Sequence, residues 1–153
     1  MDIKPTWSAI SNIRGTLAEI LSPVSSSIND SVQIAATELL ENAIKYRSAK
    51  SKDENIKFEF NYDHNEIEIK VSNKFENDDD FRRLLATFSK IKEESNPKLL
   101  YVERLKELFD NENDKHNRLG LFRVIYESGF GLNCYQEESE ITVVASKILK
   151  EIN

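Results

Sequence analysis

The sequence predicts an α+β fold, a two-layer sandwich with helices on one face of a mostly antiparallel sheet. Three observations lead there. Apolar residues recur at helical spacing through two early segments, 5–21 and about 25–48. Two pairs of apolar-rich segments, 56–62 with 67–71 and 131–138 with 139–148, read as β-hairpins. Helices and strands come in groups rather than in strict alternation, which favours antiparallel pairing over a parallel sheet of about four strands.

The first helix is expected from Pro5 to Leu21, with Trp7, Ile10, Ile13, Leu17, Ile20 and Leu21 on its apolar stripe and proline at a tolerated early position. Ser22-Pro23 breaks it, because a residue before proline is steered away from helical angles. The serines at 25–27 offer N-caps for a second helix running to about Ser48, whose broad apolar face includes Ile28, Val32, Ala35, Leu39 and Ala43. Ile56, Phe58, Phe60 and Tyr62 then alternate with polar residues, as do Ile67, Ile69 and Val71, and Asp63-His64 suits the turn between them. Residues 78–110 read as helical with a break near Ser95-Asn96-Pro97; Phe81, Leu84, Leu85 and Phe88 form one stripe and Leu100, Tyr101, Leu105 and Leu108 another. A polar loop at 110–117 leads to a short helix within RLGLFRVIYESG, ended by Gly129 at a C-cap position. The segment 139–148 is almost continuously apolar, as a central strand would be.

A chain of 153 residues, 39% hydrophobic and 31% charged, is long enough for one domain with its own core and too apolar to be disordered. The domain is expected to span 1–153. A formal charge of −6 argues against a broad electrostatic grip on nucleic acid or an anionic membrane. No run approaches the roughly 18 apolar residues a membrane span needs, and no signal-peptide pattern opens the chain, so a cytoplasmic location is expected. The single cysteine, Cys134, excludes an intrachain disulfide and reads as a small buried hydrophobe. His64 and His116 fall in turns without zinc-ligand spacing, and the run Asp78-Asp79-Asp80 stands before a helix, where negative charge suits the helix dipole.

One constellation asks for more. In ATELLENAIKY, at roughly 100° per residue from Ile28, Glu38 falls near roughly 280°, Asn42 near roughly 320° and Lys45 near roughly 260°. A carboxylate, an amide and an amine therefore share one flank at the border of the buried stripe. Glu38, Asn42, Ala43 and Lys45 resemble the N-box of the GHKL (Bergerat-fold) ATPases, a superfamily that includes histidine-kinase catalytic domains and anti-sigma-factor serine kinases. The order of elements is similar over roughly Ser25 to Lys147. The resemblance implies that Asn42 ligates Mg²⁺, that Glu38 acts as or orients a general base, and that Lys45 approaches the phosphates of ATP. Hard Mg²⁺ accepts an amide oxygen beside phosphate oxygens, and a carboxylate one turn away can take a proton from a hydroxyl. Leu119-Gly120-Leu121, opening a helix, resembles the family's second glycine box, in which a helix amino end receives phosphate.

The first glycine box departs from the family pattern. Asn73 stands where the adenine-binding aspartate is expected, Phe75 replaces the first glycine and Asn77 the second. A neutral amide in place of a charged acceptor weakens one hydrogen bond from roughly 1.5–3 to roughly 0.5–1.5 kcal/mol, about tenfold in affinity. Phenylalanine in place of glycine both restricts φ and fills space. The acidic segment 110–117 also lacks the glycines of a mobile lid.

A stand-alone domain without a phosphoacceptor histidine before the N-box is similar to the RsbW-type anti-sigma-factor serine kinases. The resemblance implies a regulatory module of a bacterial partner-switching pathway, with ATP binding weakened or lost. It would bind a protein partner, a STAS-domain antagonist or a sigma factor, and could form a homodimer. The alternatives are an active ATP-dependent protein serine kinase, and a scaffold or oligomerising subunit of the same fold.

Overall fold

The computed structural model describes residues 2–4, 6–46, 56–63, 65–75, 79–93 and 119–149, together with 96, 99, 102, 103, 105 and 106. His64, His116, Asn77, Asp78, the break at 95 and 97, and the acidic loop 110–117 lie outside the described residues. Most of the second stripe expected in 100–108 does too, though the described positions there are helical.

The described residues form strand β1 (Asp2–Ile3), helices α1 (Trp7–Ile20) and α2 (Ser26–Tyr46), strands β2 (Ile56–Tyr62) and β3 (Glu66–Lys74), helix α3 (Asp79–Glu93), helix α4 (Leu119–Tyr126), and strands β4 (Gly131–Glu137) and β5 (Glu140–Ile148). The strands make one sheet in the order β1-β2-β3-β5-β4, antiparallel throughout. The architecture is the expected α+β sandwich. It has five described strands rather than about four, because Asp2 and Ile3 pair with Lys57 and Ile56 ahead of α1. Two residues carry no readable period, so this edge strand leaves no pattern in the sequence.

Local chemistry sets the boundaries. The Ser25 hydroxyl accepts the Ile28 backbone N–H at 3.3 Å and caps α2. Asp63 Oδ1 accepts the N–H groups of Asn65 at 2.7 Å and Glu66 at 2.8 Å, closing the β2–β3 hairpin as an Asx turn. Gly129, at φ 74°, ends α4 in the left-handed conformation glycine adopts most easily, and the Phe130 N–H reaches back to the Val124 carbonyl at 3.3 Å. The two-residue β4–β5 turn puts Glu138 at φ 55°.

Period-two alternation turns Ile56 and Phe58, then Ile67, Ile69, Val71 and Asn73, then Ile141, Val143 and Ala145 toward the helices, and all are buried. β5 lies between β3 and β4, the interior position its apolar run anticipates. On the outer face the Ser72 and Thr142 hydroxyls are 2.7 Å apart and Lys57 pairs with Glu140 at 3.6 Å. Against the inner face α1 supplies Ile10, Ile13 and Leu17; α2 supplies Val32, Ala35, Ala36, Leu39 and Leu40; α3 supplies Leu84, Phe88 and Ile91. The absence of bulk at Ala35, Ala36 and Ala43 lets α2 lie close to its neighbours while its polar flank stays at the rim.

Candidate functional site

Glu38, Asn42 and Lys45 lie on consecutive turns of α2, as helical geometry requires, but they meet different surroundings. Lys45 is exposed in the last turn, where its charge still acts on Glu38. Asn42 reaches inward, its Nδ2 buried without a hydrogen-bond partner. Glu38 sits between the two, its side chain only 14% exposed.

The Glu38 carboxylate is held from α4. Arg123 Nη1 donates to Glu38 Oε1 at 3.1 Å, and Arg123 Nε donates to Glu127 Oε2 at 3.1 Å, so one guanidinium serves two carboxylates. The other oxygen of Glu38 rests against Gly120, where a Cβ would collide with Oε2. Glycine at 120 therefore makes room for a side chain of the same protein. The sequence expectation assigned that room to phosphate, and in this conformation the carboxylate occupies it. Burial pushes the Glu38 carboxyl above the usual carboxylate range, with Glu41 and then Glu127 adding to the rise; Arg123 and Lys45 oppose it without cancelling it.

Asn42 and Asn73 do converge. Both border a narrow cavity lined also by Leu39 of α2, Leu84 and Phe88 of α3, and Leu121 of α4. The cavity holds only about 10 Å³, room for one water at most. Asn73 is 7% exposed, and its Nδ2 donates to the Lys74 carbonyl at 2.9 Å. Phe75 is partly buried against the core and its N–H donates to the Ser139 carbonyl at 3.0 Å. Leu121 is buried in the cavity wall, whereas Leu119 opens α4 with its side chain outside the described set. Thus Glu38 and Gly120 form one contact, Asn42, Asn73 and Leu121 surround one cavity, and Lys45 is exposed in the last turn of α2.

A purine does not fit that cavity in this conformation, and one carboxylate oxygen of Glu38 accepts from Arg123 while the other lies against Gly120. Among the described residues no group of three His, Cys, Asp or Glu side chains is placed to hold a metal. No helix among them is long and apolar enough to cross a membrane. Cys134 is partly buried against the core, and burial pushes its thiol up, which suits a packing role rather than a nucleophile's.

Arg123 is the residue that sequence reasoning passed over. A basic side chain in the last turn of a helix reads as a dipole complement, and its partner Glu38 is 85 positions away. The only local signal was Glu127 four residues on.

These elements define a two-layer α+β protein whose second helix carries a carboxylate clamped by arginine and an amide facing a narrow cavity. No protein-family model and no curated protein matches the chain.

Proposed function

We propose that this chain is a regulatory module that acts by binding a protein partner, built on a GHKL-type nucleotide-binding layout whose nucleotide site is closed. The observation that carries the reading is the double occupation of that layout. Leu84 and Phe88 fill the space between Asn42, Asn73 and the sheet down to about 10 Å³, while Glu38 fills the notch at Gly120. Glu38 and Gly120 are occupied with each other, and Asn42 and Asn73 border a space too small for a base. Affinity for Mg-ATP is then weak or lost, because opening the cavity means separating α3 from the core.

In a partner-switching pathway the bound protein is a STAS-domain antagonist or a sigma factor, and the chain acts by sequestering it. The test is complex formation between the purified chain and such proteins, followed by size-exclusion chromatography with and without Mg-ATP. A stoichiometric complex indifferent to nucleotide is expected. Transfer of phosphate from ATP to a serine of the partner would instead make the chain a working kinase and overturn the proposal. Paired substitution Asn73→Asp with Phe75→Gly should raise nucleotide affinity; unchanged affinity removes those two positions as its cause.

A further inference from the structure

A cleft of about 600 Å³ runs along the outer flank of α2, on the side of Glu38 away from the narrow cavity. Its floor offers oxygens in succession: Asp30, Gln33, Thr37 and Glu41, spaced one helical turn or less apart. Arg14 of α1 borders one side and Arg123 of α4 the other.

Two acceptors along the cleft find no donor among the described residues. Gln33 Nε2 donates to the Arg14 carbonyl at 2.9 Å and to Asn29 Oδ1 at 3.4 Å, which fixes the amide and leaves its oxygen as the acceptor on offer. That oxygen, Gln33 Oε1, and the Thr37 hydroxyl are both buried without a hydrogen-bond partner. The cleft is also short of positive charge. The lining carries the three carboxylates of Asp30, Glu38 and Glu41 against two guanidiniums, and Arg123 is already shared between Glu38 and Glu127. Burial and then Glu41 push the Glu38 carboxyl at the edge of the cleft above the usual carboxylate range, against Arg123 and Lys45.

We infer that this cleft is a docking site for an arginine-bearing segment of a protein partner, whose guanidinium enters between α1 and α4 and donates to the acceptor row of α2. It rests on the reading of the chain as a partner-binding module and names where the partner is held. Arginine suits the row better than a point charge: its planar fork presents five donors, enough for a carboxylate and the two orphan oxygens together. Ile34 in the same lining gives the methylene stem an apolar surface. A bare divalent cation is a poorer match, since among the described residues no metal-ligating triple is assembled. The protein already supplies one instance of the chemistry, in the guanidinium of Arg123 on Glu38.

The probe is L-arginine amide, titrated at low salt into the isotope-labelled chain, with L-citrulline amide as the isostere whose side chain is uncharged. The Gln33 side-chain amide and the Thr37 backbone amide should shift and saturate with arginine amide, and respond at least several-fold more weakly to citrulline amide. The response should vanish in an Asp30→Asn, Glu41→Gln double variant whose hairpin resonances show an intact sheet. Equal responses to the two probes, or a response that survives in the double variant, overturns the site. The partner separates this inference from the reading beneath it. If a STAS-domain or sigma-factor complex forms with wild type and is unchanged in the double variant, the cleft is wrong and the module reading stands. If no such complex forms, the module reading fails and the arginine-amide titration still decides the cleft.

Discussion

The meeting of Glu38 with Gly120 fixes what either residue can become. Alanine in place of glycine inside a helix ordinarily stabilises by about 1 kcal/mol. Here the new methyl meets Glu38 Oε2, so the carboxylate must shift while its other oxygen is held by Arg123. Gly120→Ala is therefore expected to be neutral or destabilising in the wild-type background and to recover about 1 kcal/mol in a Glu38→Ala background; denaturant unfolding of the four proteins closes the cycle. Additivity would mean that the two side chains do not share the space. The carboxylate also imposes a pH dependence. Its folded-state pKa is raised, chiefly by burial and then by Glu41, so its protonated form suits the fold. The contribution is fully present below the unfolded carboxyl's pKa and is lost as pH rises through the folded value. Glu38→Gln should accordingly gain most on wild type above the folded pKa, with the gap narrowing as pH falls through the carboxylate range. A gap that widens in acid would show Arg123 outweighing burial.

Between elements, the decisive packing is that of α3 over the cavity bordered by α2, α4 and the sheet. Leu84 is 3% exposed and lines that cavity with Phe88. Leu84→Ala should cost about 2–5 kcal/mol of stability and open space beside Asn42 and Asn73. Adenosine should then bind the variant better than wild type, which a change in ligand line width would report; equal binding would mean that α3 is not the obstruction. The same packing marks how far the sequence could be read. The stripe Phe81, Leu84, Leu85, Phe88 shows that α3 buries one face, because a 3.6 period is local information. It does not show which surface that face covers, and so whether Asn42 looks into an open pocket or a closed one. The hairpins were readable for the same reason: Ile56 with Phe58, and Ile67, Ile69 and Val71, alternate within one strand and need no partner to be recognised. The β1 edge was unreadable because two residues have no period. The Arg123–Glu38 contact was unreadable because it joins helices far apart in the chain.

For the whole molecule, the helix layer separates two environments on the two flanks of α2. Inward lies an amide-bordered cavity without room for a ligand; outward lies a cleft rich in acceptors. A chain of formal charge −6 with such a cleft is suited to a basic protein surface rather than to a polyphosphate. Glu38 stands at the boundary between these environments, held by Arg123 of another helix, so nucleotide access, and not the presence of matching residues, decides what the site can bind. Calorimetric titration of Mg-ATP into the wild-type chain tests that access most directly. No saturable binding tighter than about 1 mM, or roughly −4 kcal/mol, is expected; micromolar binding that Asn42→Ala abolishes would mean that the nucleotide site is open.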